Sequence, residues 1–215
     1  MEKIISNIVY VASGIPATLE LLLGGVVLGF TIGTVFSIMR YSGICSWFIS
    51  GFISIIRGTP VILQLSLVYF ALPALMGVRL NLLTAGIIAF GLNSSAYVAE
   101  ILRSGIESIP KGQFEAAKTL GIPVFPMWKD IIMPQIVRNV FPAMVNEIIA
   151  LLKETALIAT IGGMDIMKMS QSIAAEQFEY FVPLCIAGGY YYSLVLFIEY
   201  IGKKVEKEMS YVKNS

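Results

Sequence analysis

The sequence predicts an all-α integral membrane protein with about five transmembrane helices, and three observations support this fold class. Hydrophobic residues make up 57% of the 215 residues, and charged residues make up only 13%. That is about half the charged fraction of an ordinary soluble domain. The mean hydropathy is +0.81. Several uncharged stretches also approach or exceed the length of about 20 residues that a helix needs to cross a bilayer.

Five segments are long and apolar enough to be predicted as membrane spans. Four of them contain long runs without any charged residue. The remaining segment is long enough but is interrupted by Glu147, Lys153 and Glu154. The predicted spans cover residues 15–39, 55–76, 80–102, 135–160 and 181–202. No long linker separates them, so residues 1–215 are predicted to form a single transmembrane domain.

The distribution of basic residues predicts the orientation of these spans. An odd number of spans places the termini on opposite sides, and Lys and Arg are enriched in cytoplasmic loops. With a cytoplasmic C-terminus, only Lys3, Arg79 and Lys168 fall outside, and Lys153 lies within a span. The basic residues that then fall inside are Arg40, Arg57, Arg103, Lys111, Lys118, Lys129, Arg138, Lys203, Lys204, Lys207 and Lys213. The sequence therefore predicts an outer N-terminus and a cytoplasmic loop at about residues 104–133.

The composition argues against several other classes of protein. Histidine is absent, which removes the commonest general base and metal ligand. The net charge of +1 offers no basic field for nucleic acid. Cys45 and Cys185 are far apart and lack metal-ligand spacing. No phosphate-binding G-x-x-x-x-G-K-[ST] loop or hydrolase motif is present, so we expect no catalytic residue, metal or cofactor in this chain.

The predicted cytoplasmic loop contains a short helix. Glu115, Ala116 and Ala117 favour a helix, and Gly121 followed by Pro123 is a natural helix stop. Small side chains and a glycine stop allow a bulky partner to pack against this helix. An ordinary solvated connector remains the alternative.

This loop resembles the E-A-A-x3-G-x9-I-x-L-P signature of permease subunits of bacterial ABC importers. Its spacing matches throughout, and Met133 replaces the usual Leu. Three further segments, "IIRGTPVILQL", "AYVAEILRSGIESIPKGQFEAAKTLG" and "LKETALIATIG", are similar to those of polar amino acid permeases. Together these segments cover most of residues 57–163. The resemblance implies the type I importer permease fold, also called MetI-like.

The same resemblance implies a set of partners in a bacterial cell membrane. The loop would be a coupling helix whose contact residues with a cytoplasmic ATPase are Glu115, Ala116, Ala117 and Gly121. ATP and Mg²⁺ would be bound by that separate ATPase. A second permease chain would complete the pathway, either as a homodimer, our default, or as a paired homologue. An extracellular or periplasmic amino acid-binding protein would dock on the outer loops.

Polar residues inside the predicted spans indicate where an amino acid could bind, because ionisable groups in a membrane are costly. Glu154 could bind a substrate ammonium or guanidinium group, or could form an internal ion pair with Lys153 or Arg138. Glu100 and Glu147 are predicted to be structural. The predicted substrate-binding residues are Glu154, Asn93, Thr155, Leu67, Gln64, Tyr97 and Ser94, with interhelical hydrogen bonding as the alternative for the polar residues of the third span. Glu154 would favour a basic amino acid: arginine, lysine or histidine.

Two alternatives concern the packing of the spans and the class of transporter. Gly25, Gly29 and Gly33 form a ridge of small residues, which predicts close helix packing within the chain or a dimer seam. The three membrane glutamates would also suit an ion-coupled secondary amino acid transporter, which five spans and a docking loop fit poorly.

Overall fold

The computed structural model describes residues 2–211, with side chains described up to Met209, and every regular element in this part of the chain is helical. The α-helices are α1 (Glu2–Ala12), α2 (Ile15–Tyr41), α3 (Ser46–Gly58), α4 (Val61–Ser66), α5 (Leu72–Met76), α6 (Leu82–Glu107), α7 (Lys111–Thr119), α8 (Val124–Pro126), α9 (Met133–Glu154), α10 (Ile166–Gln177) and α11 (Phe181–Tyr211). Two π-helical turns, Leu67–Ala71 and Met127–Ile132, and the 3₁₀-helix Thr155–Ile161 join neighbouring helices. The predicted all-α class is confirmed. Lys213, counted among the inner basic residues, lies outside the described residues.

Three helical segments within the described residues are long and apolar enough to cross a membrane. They are 2–41, which combines α1 and α2, then α6, and α11 up to Met209. A fourth span exists only if α3 and the helical segment Val61–Met76 are counted together. The region of α9, predicted as a span at 135–160, carries four charged residues and is not one of the three. The count of five spans and their orientation therefore stay predictions.

The predicted span at 55–76 is not one straight helix. The chain bends by 106° between Gly58 and Val61. Proline has no backbone N–H and disfavours the helical conformation of the residue before it. Thr59, which precedes Pro60, accordingly has extended backbone angles of φ −121° and ψ 146°. The bend gives the chain two differently directed helices where the apolar run alone predicts one.

The glycine ridge of α2 packs against α6 within the same chain. A Cβ atom at Gly29 would lie 2.8 Å from the Cβ of Ser94, and one at Gly33 would lie 2.7 Å from the carbonyl oxygen of Ser95. Gly25, Gly29 and Gly33 are all buried. The interpretation of this ridge as intramolecular packing is confirmed, because its glycines already contact α6 and have no surface left for a second chain.

Four apolar clusters hold the described helices together. The central cluster joins α2, α4, α6 and α9, with Phe90 fully buried inside it. A second cluster packs the end of α6 against α9 and the residues before it, around Val98 and Ile136. The third joins α1, α10 and α11, and the fourth packs α3 against α6. The second cluster is therefore the one that connects the predicted coupling loop to the spans.

Candidate substrate site and coupling loop

The predicted coupling loop contains the expected short helix, α7. Glu115 and Ala116 are exposed on it, whereas Ala117 is only 3% exposed and faces the chain's own interior. Helix α6 continues to Glu107, so the irregular part of the loop begins later than residue 104. The position of Ala117 does not support its predicted role as a contact residue, since its side chain is buried within the chain and offers no free surface.

Gly121 ends α7 in a left-handed conformation. Its φ is +67°, and a Cβ there would meet no atom within 4 Å. The N–H of Ile122 donates to the carbonyl of Ala117 at 3.0 Å, and the N–H of Gly121 donates to that of Lys118 at 3.1 Å. These two bonds form a Schellman motif, which satisfies the last carbonyls of the helix. Gly121 is therefore required for the backbone conformation, and its surroundings are open.

One side of the loop is anchored to the spans by aromatic rings. The ring of Trp128 packs edge-to-face on Phe114, with centroids 5.9 Å apart, and on Tyr41 of α2, with centroids 5.1 Å apart. Such pairs add stability beyond the area they bury. Trp128 thereby connects α7 with α2.

The other side of the loop presents an exposed apolar patch that sequence reasoning did not single out. It consists of Leu120, Val124 and Phe125, each at least 70% exposed. The stretch "LGIPVFP" contains no charged residue, and this lack of charge is the feature of the sequence that indicates the patch. Contiguous exposed apolar residues mark interaction surfaces.

Two of the predicted substrate residues are bonded to each other. The side chains of Gln64 and Asn93 are buried, and Asn93 Nδ2 donates to Gln64 Oε1 at 3.0 Å. Gln64 Nε2 also donates to the carbonyl of Ile56 at 2.8 Å and to the hydroxyl and carbonyl of Thr59 at 2.9 and 3.2 Å. This pair therefore ties the 106° bend to α6.

Other predicted substrate residues also have partners within the chain. Ser94 donates to the carboxylate of Glu147 at 2.7 Å, which matches the interhelical alternative for this serine. Thr155 is fully buried and donates to the carbonyl of Leu152 at 2.6 Å. Leu67 lies in a π-helical turn with 52% of its surface exposed. The structure therefore does not gather the predicted residues into one open pocket.

Glu154 differs from these residues. It ends α9 and is partly buried, yet its carboxylate takes part in no hydrogen bond or ion pair with any described residue. The predicted internal ion pair with Lys153 or Arg138 is not formed. A partly buried carboxylate without a cation is the arrangement that a cationic ligand would complete.

Glu100 is the centre of a charge cluster, in agreement with its predicted structural role. Its carboxylate pairs with Arg40 of α2, with Arg103 of α6 at 2.9 Å, and with Arg57 of α3 at 3.5 Å. The Arg57 guanidinium lies 5.3 Å from the centre of the Tyr97 ring, a cation–π contact. The sequence could not reveal this cluster, because its members come from three separate helices.

These geometric features agree with comparisons to known proteins. Residues 25–211 match the family described as binding-protein-dependent transport system inner membrane component. The chain belongs to this family. The permease is 44% identical over 209 residues to a putative glutamine transport system permease protein of Rickettsia typhi, covering 96% of both chains. It is 42% identical over 207 residues to an arginine transport system permease protein of Bacillus subtilis, covering 95% of this chain and 94% of the other.

Solved structures confirm the predicted fold of the permease. A crystal structure of an amino acid ABC transporter with histidines has a TM-score of 0.85 at 35% identity, covering 93% of this chain and 94% of that chain. An inward-facing methionine ABC transporter has a TM-score of 0.79 at 17% identity, covering 93% and 95%, and shows the fold alone. The permease therefore has the MetI-like fold of type I ABC importers.

Proposed function

We propose that this permease forms the translocation pathway of an ATP-driven importer for polar amino acids, with basic amino acids as its substrates. The names of its relatives support an amino acid, and they divide between glutamine and arginine. The related solved structure is described with histidines. None of these names fixes the charge of the substrate, so the choice of a basic amino acid depends on the residues of the pathway itself.

The observation that carries this choice is the free carboxylate of Glu154. Glu100 has arginine partners, Glu147 accepts a hydrogen bond from Ser94, and Asp165 accepts one from Tyr191. Glu154 has neither a hydrogen bond nor an ion pair in the described part of the chain. A bound ammonium or guanidinium group would supply the opposite charge, which is favoured where water is scarce.

The remaining predicted substrate residues take a supporting part in this proposal. Thr155 follows Glu154 directly, and Leu67 presents an exposed apolar side chain. Asn93 and Gln64 would contact substrate only if the hydrogen bond between their side chains were replaced by hydrogen bonds to the substrate. Tyr97 would do so only beside the Arg57 guanidinium that lies over its ring.

We further propose that the coupling loop docks on a separate ATPase that binds ATP and Mg²⁺. The exposed residues Glu115 and Ala116 offer the polar side of the docking surface, and the turn at Gly121 leads into the apolar patch. Ala117 supports this surface from inside. A second copy of this chain would complete the pathway, and an external amino acid-binding protein would deliver substrate to it, in a bacterial cell membrane.

Transport by the reconstituted complex tests this function. The permease is purified with its ATPase and binding protein, placed in vesicles, and assayed for ATP-driven uptake of arginine and of glutamine. Removing one member of a desolvated charge pair costs about 2 kcal/mol or more. We therefore expect Glu154→Gln to lower arginine uptake at least tenfold while assembly and basal ATP hydrolysis are retained. The matched control is Glu208→Gln, which makes the same change at an exposed position on α11.

The outcomes separate the parts of the proposal. Unchanged arginine uptake in Glu154→Gln would return this residue to a structural role and remove the support for a basic substrate. Uptake of glutamine alone would keep the importer and reject the basic class. Uptake that needs no ATPase and collapses with an uncoupler would instead indicate an ion-coupled secondary transporter.

A further inference from the structure

A polar cavity lies beside the charge cluster at the end of α2 and α6. Its volume is about 400 Å³, and the side chains of Arg40, Arg103, Ser37 and Ser46 line it together with Glu107. Arg40 also lines a second cavity of about 410 Å³, which it shares with Arg57. Basic groups are therefore accessible from two sides of the cluster.

The cluster has more positive than negative charge. Three guanidinium groups, those of Arg40, Arg57 and Arg103, share the carboxylates of Glu100 and Glu107. One positive charge is left without a partner in this cluster. The guanidinium group of Arg57 is also 3.5 Å from the carboxylate of Glu100, a longer distance than in a hydrogen bond of good geometry. Of these charged groups, Arg40, Arg103 and Glu107 line the polar cavity, which makes two positive charges against one negative. The polar cavity therefore favours an anion with several acceptor oxygens.

An apolar groove adjoins this polar cavity. Its volume is about 350 Å³, and it shares Ser37, Tyr41 and Ile106 with the polar cavity. Apolar side chains from α6, α9 and Trp128 form most of its remaining wall. Ile38 and Met133, at its edge, are 60% and 47% exposed, so the groove opens at the surface of the chain. A charged cavity and an apolar groove thus meet at Tyr41.

We infer that this combined site binds an anionic phospholipid, with its phosphate at Arg40 and Arg103 and an acyl chain in the adjoining groove. Arginine pairs with phosphate through parallel N–H···O bonds. Basic pockets between transmembrane helices bind anionic headgroups in this way. A free phosphate would leave the groove empty, and a zwitterionic lipid would bring a second cation next to the excess guanidinium charge.

The proposed lipid site lies between the spans and the coupling loop. Its groove is bounded by α2 and α6 on one side and by Trp128 and Met133, which join the coupling loop to α9, on the other. A bound acyl chain would therefore stabilise the contact between the spans and the loop. The anionic lipid acts here as a structural ligand of the coupling segment.

Native mass spectrometry of the purified transporter complex in detergent tests this site. The probes are phosphatidylglycerol, phosphatidylcholine with the same acyl chains, and glycerol phosphate, which has no acyl chain. One basic residue contributes about fivefold to affinity for an anionic headgroup. We expect retained phosphatidylglycerol to fall about fivefold in Arg40→Gln and also in Ile38→Trp, which fills the groove mouth without touching an ion pair. Lys204→Gln removes an exposed positive charge elsewhere and should leave binding unchanged.

Three results would overturn the inference. They are equal retention of phosphatidylcholine and phosphatidylglycerol, equal retention of glycerol phosphate, and unchanged phosphatidylglycerol binding in Ile38→Trp. Because Ile38 is largely exposed, the tryptophan variant is expected to fold even if the arginine variant does not. The inference therefore stays testable on the groove alone.

Discussion

The hydrogen bonds of Gln64 offer the sharpest test of how the bent helix is built. Gln64 is 8% exposed and lies on α4, just after the 106° bend. Its amide group bonds to Ile56 and Thr59, which precede it across the bend, and to Asn93 of the neighbouring helix α6. Replacing Gln64 with Leu keeps the side-chain volume nearly constant, so little of the effect would come from a new cavity. The substitution removes the bonds that close the bend.

The magnitude follows from the groups left unpaired. Gln64→Leu leaves the carbonyls of Ile56 and Thr59 and the amide of Asn93 without the partner they have in the native protein. Side-chain hydrogen bonds between membrane helices average about 0.6 kcal/mol and reach about 1.7 kcal/mol. With bonds to three residues lost, we expect a loss of about 1–3 kcal/mol in the free energy of unfolding.

A double-mutant cycle measures the contribution of the pair itself. The free energy of unfolding in mixed detergent micelles would be compared for wild type, Gln64→Leu, Asn93→Ala and the double variant. We expect a coupling energy of about 0.6–1.7 kcal/mol between the two positions. Gln171→Leu, at an exposed position of α10, is the matched control and should have almost no effect on stability.

Uptake measurements on the same variants separate the two roles of these residues. If Gln64 and Asn93 hold the bend, stability falls and the ratio of arginine to glutamine uptake by the remaining folded transporter is unchanged. A coupling energy below about 0.3 kcal/mol, together with a changed uptake ratio, would refute the structural role. It would instead place both side chains in contact with substrate.

Three further pairs of substitutions test the coupling turn, the glycine ridge and the charge cluster. Asn and Asp at position 121 tolerate the left-handed conformation about equally. We therefore expect only Gly121→Asp, which adds a charge, to abolish the stimulation of ATP hydrolysis by substrate-loaded binding protein. Loss of stimulation in Gly121→Asn as well would mean that the turn conformation alone matters. Gly33→Ala should lower the free energy of unfolding by about 1–3 kcal/mol, because the added Cβ would overlap α6. At Gly51 an added Cβ meets no atom within 4 Å, so Gly51→Ala should not destabilise the fold. Glu100→Gln should lower the free energy of unfolding by about 2 kcal/mol or more, because three guanidinium groups lose their shared carboxylate. Glu107→Gln, at an exposed position, should lower it by less than about 1 kcal/mol. Equal effects of the two substitutions would contradict the central role of Glu100 in the cluster.

Features that depend on neighbouring residues in the chain were predictable from the sequence. The helix α7 and its stop at Gly121 follow from helix-forming residues and a glycine within a few positions of one another. The long apolar helices follow from hydropathy over about 20 residues. The bend at Pro60 is also encoded locally, but the continuous apolar run around it predicts a single span.

The all-helical membrane fold, the long apolar helices α2, α6 and α11, and the family signature in the coupling loop all follow from local sequence. Which polar side chains are already paired depends on how the helices pack. Gln64 meets Asn93, and Glu100 meets Arg40 and Arg57, across helices that are far apart in sequence. Glu154 is left unpaired by the same packing. Helical periodicity shows which residues share a face, but a partner on another helix is set by how the helices cross, and that depends on the packing of the whole chain.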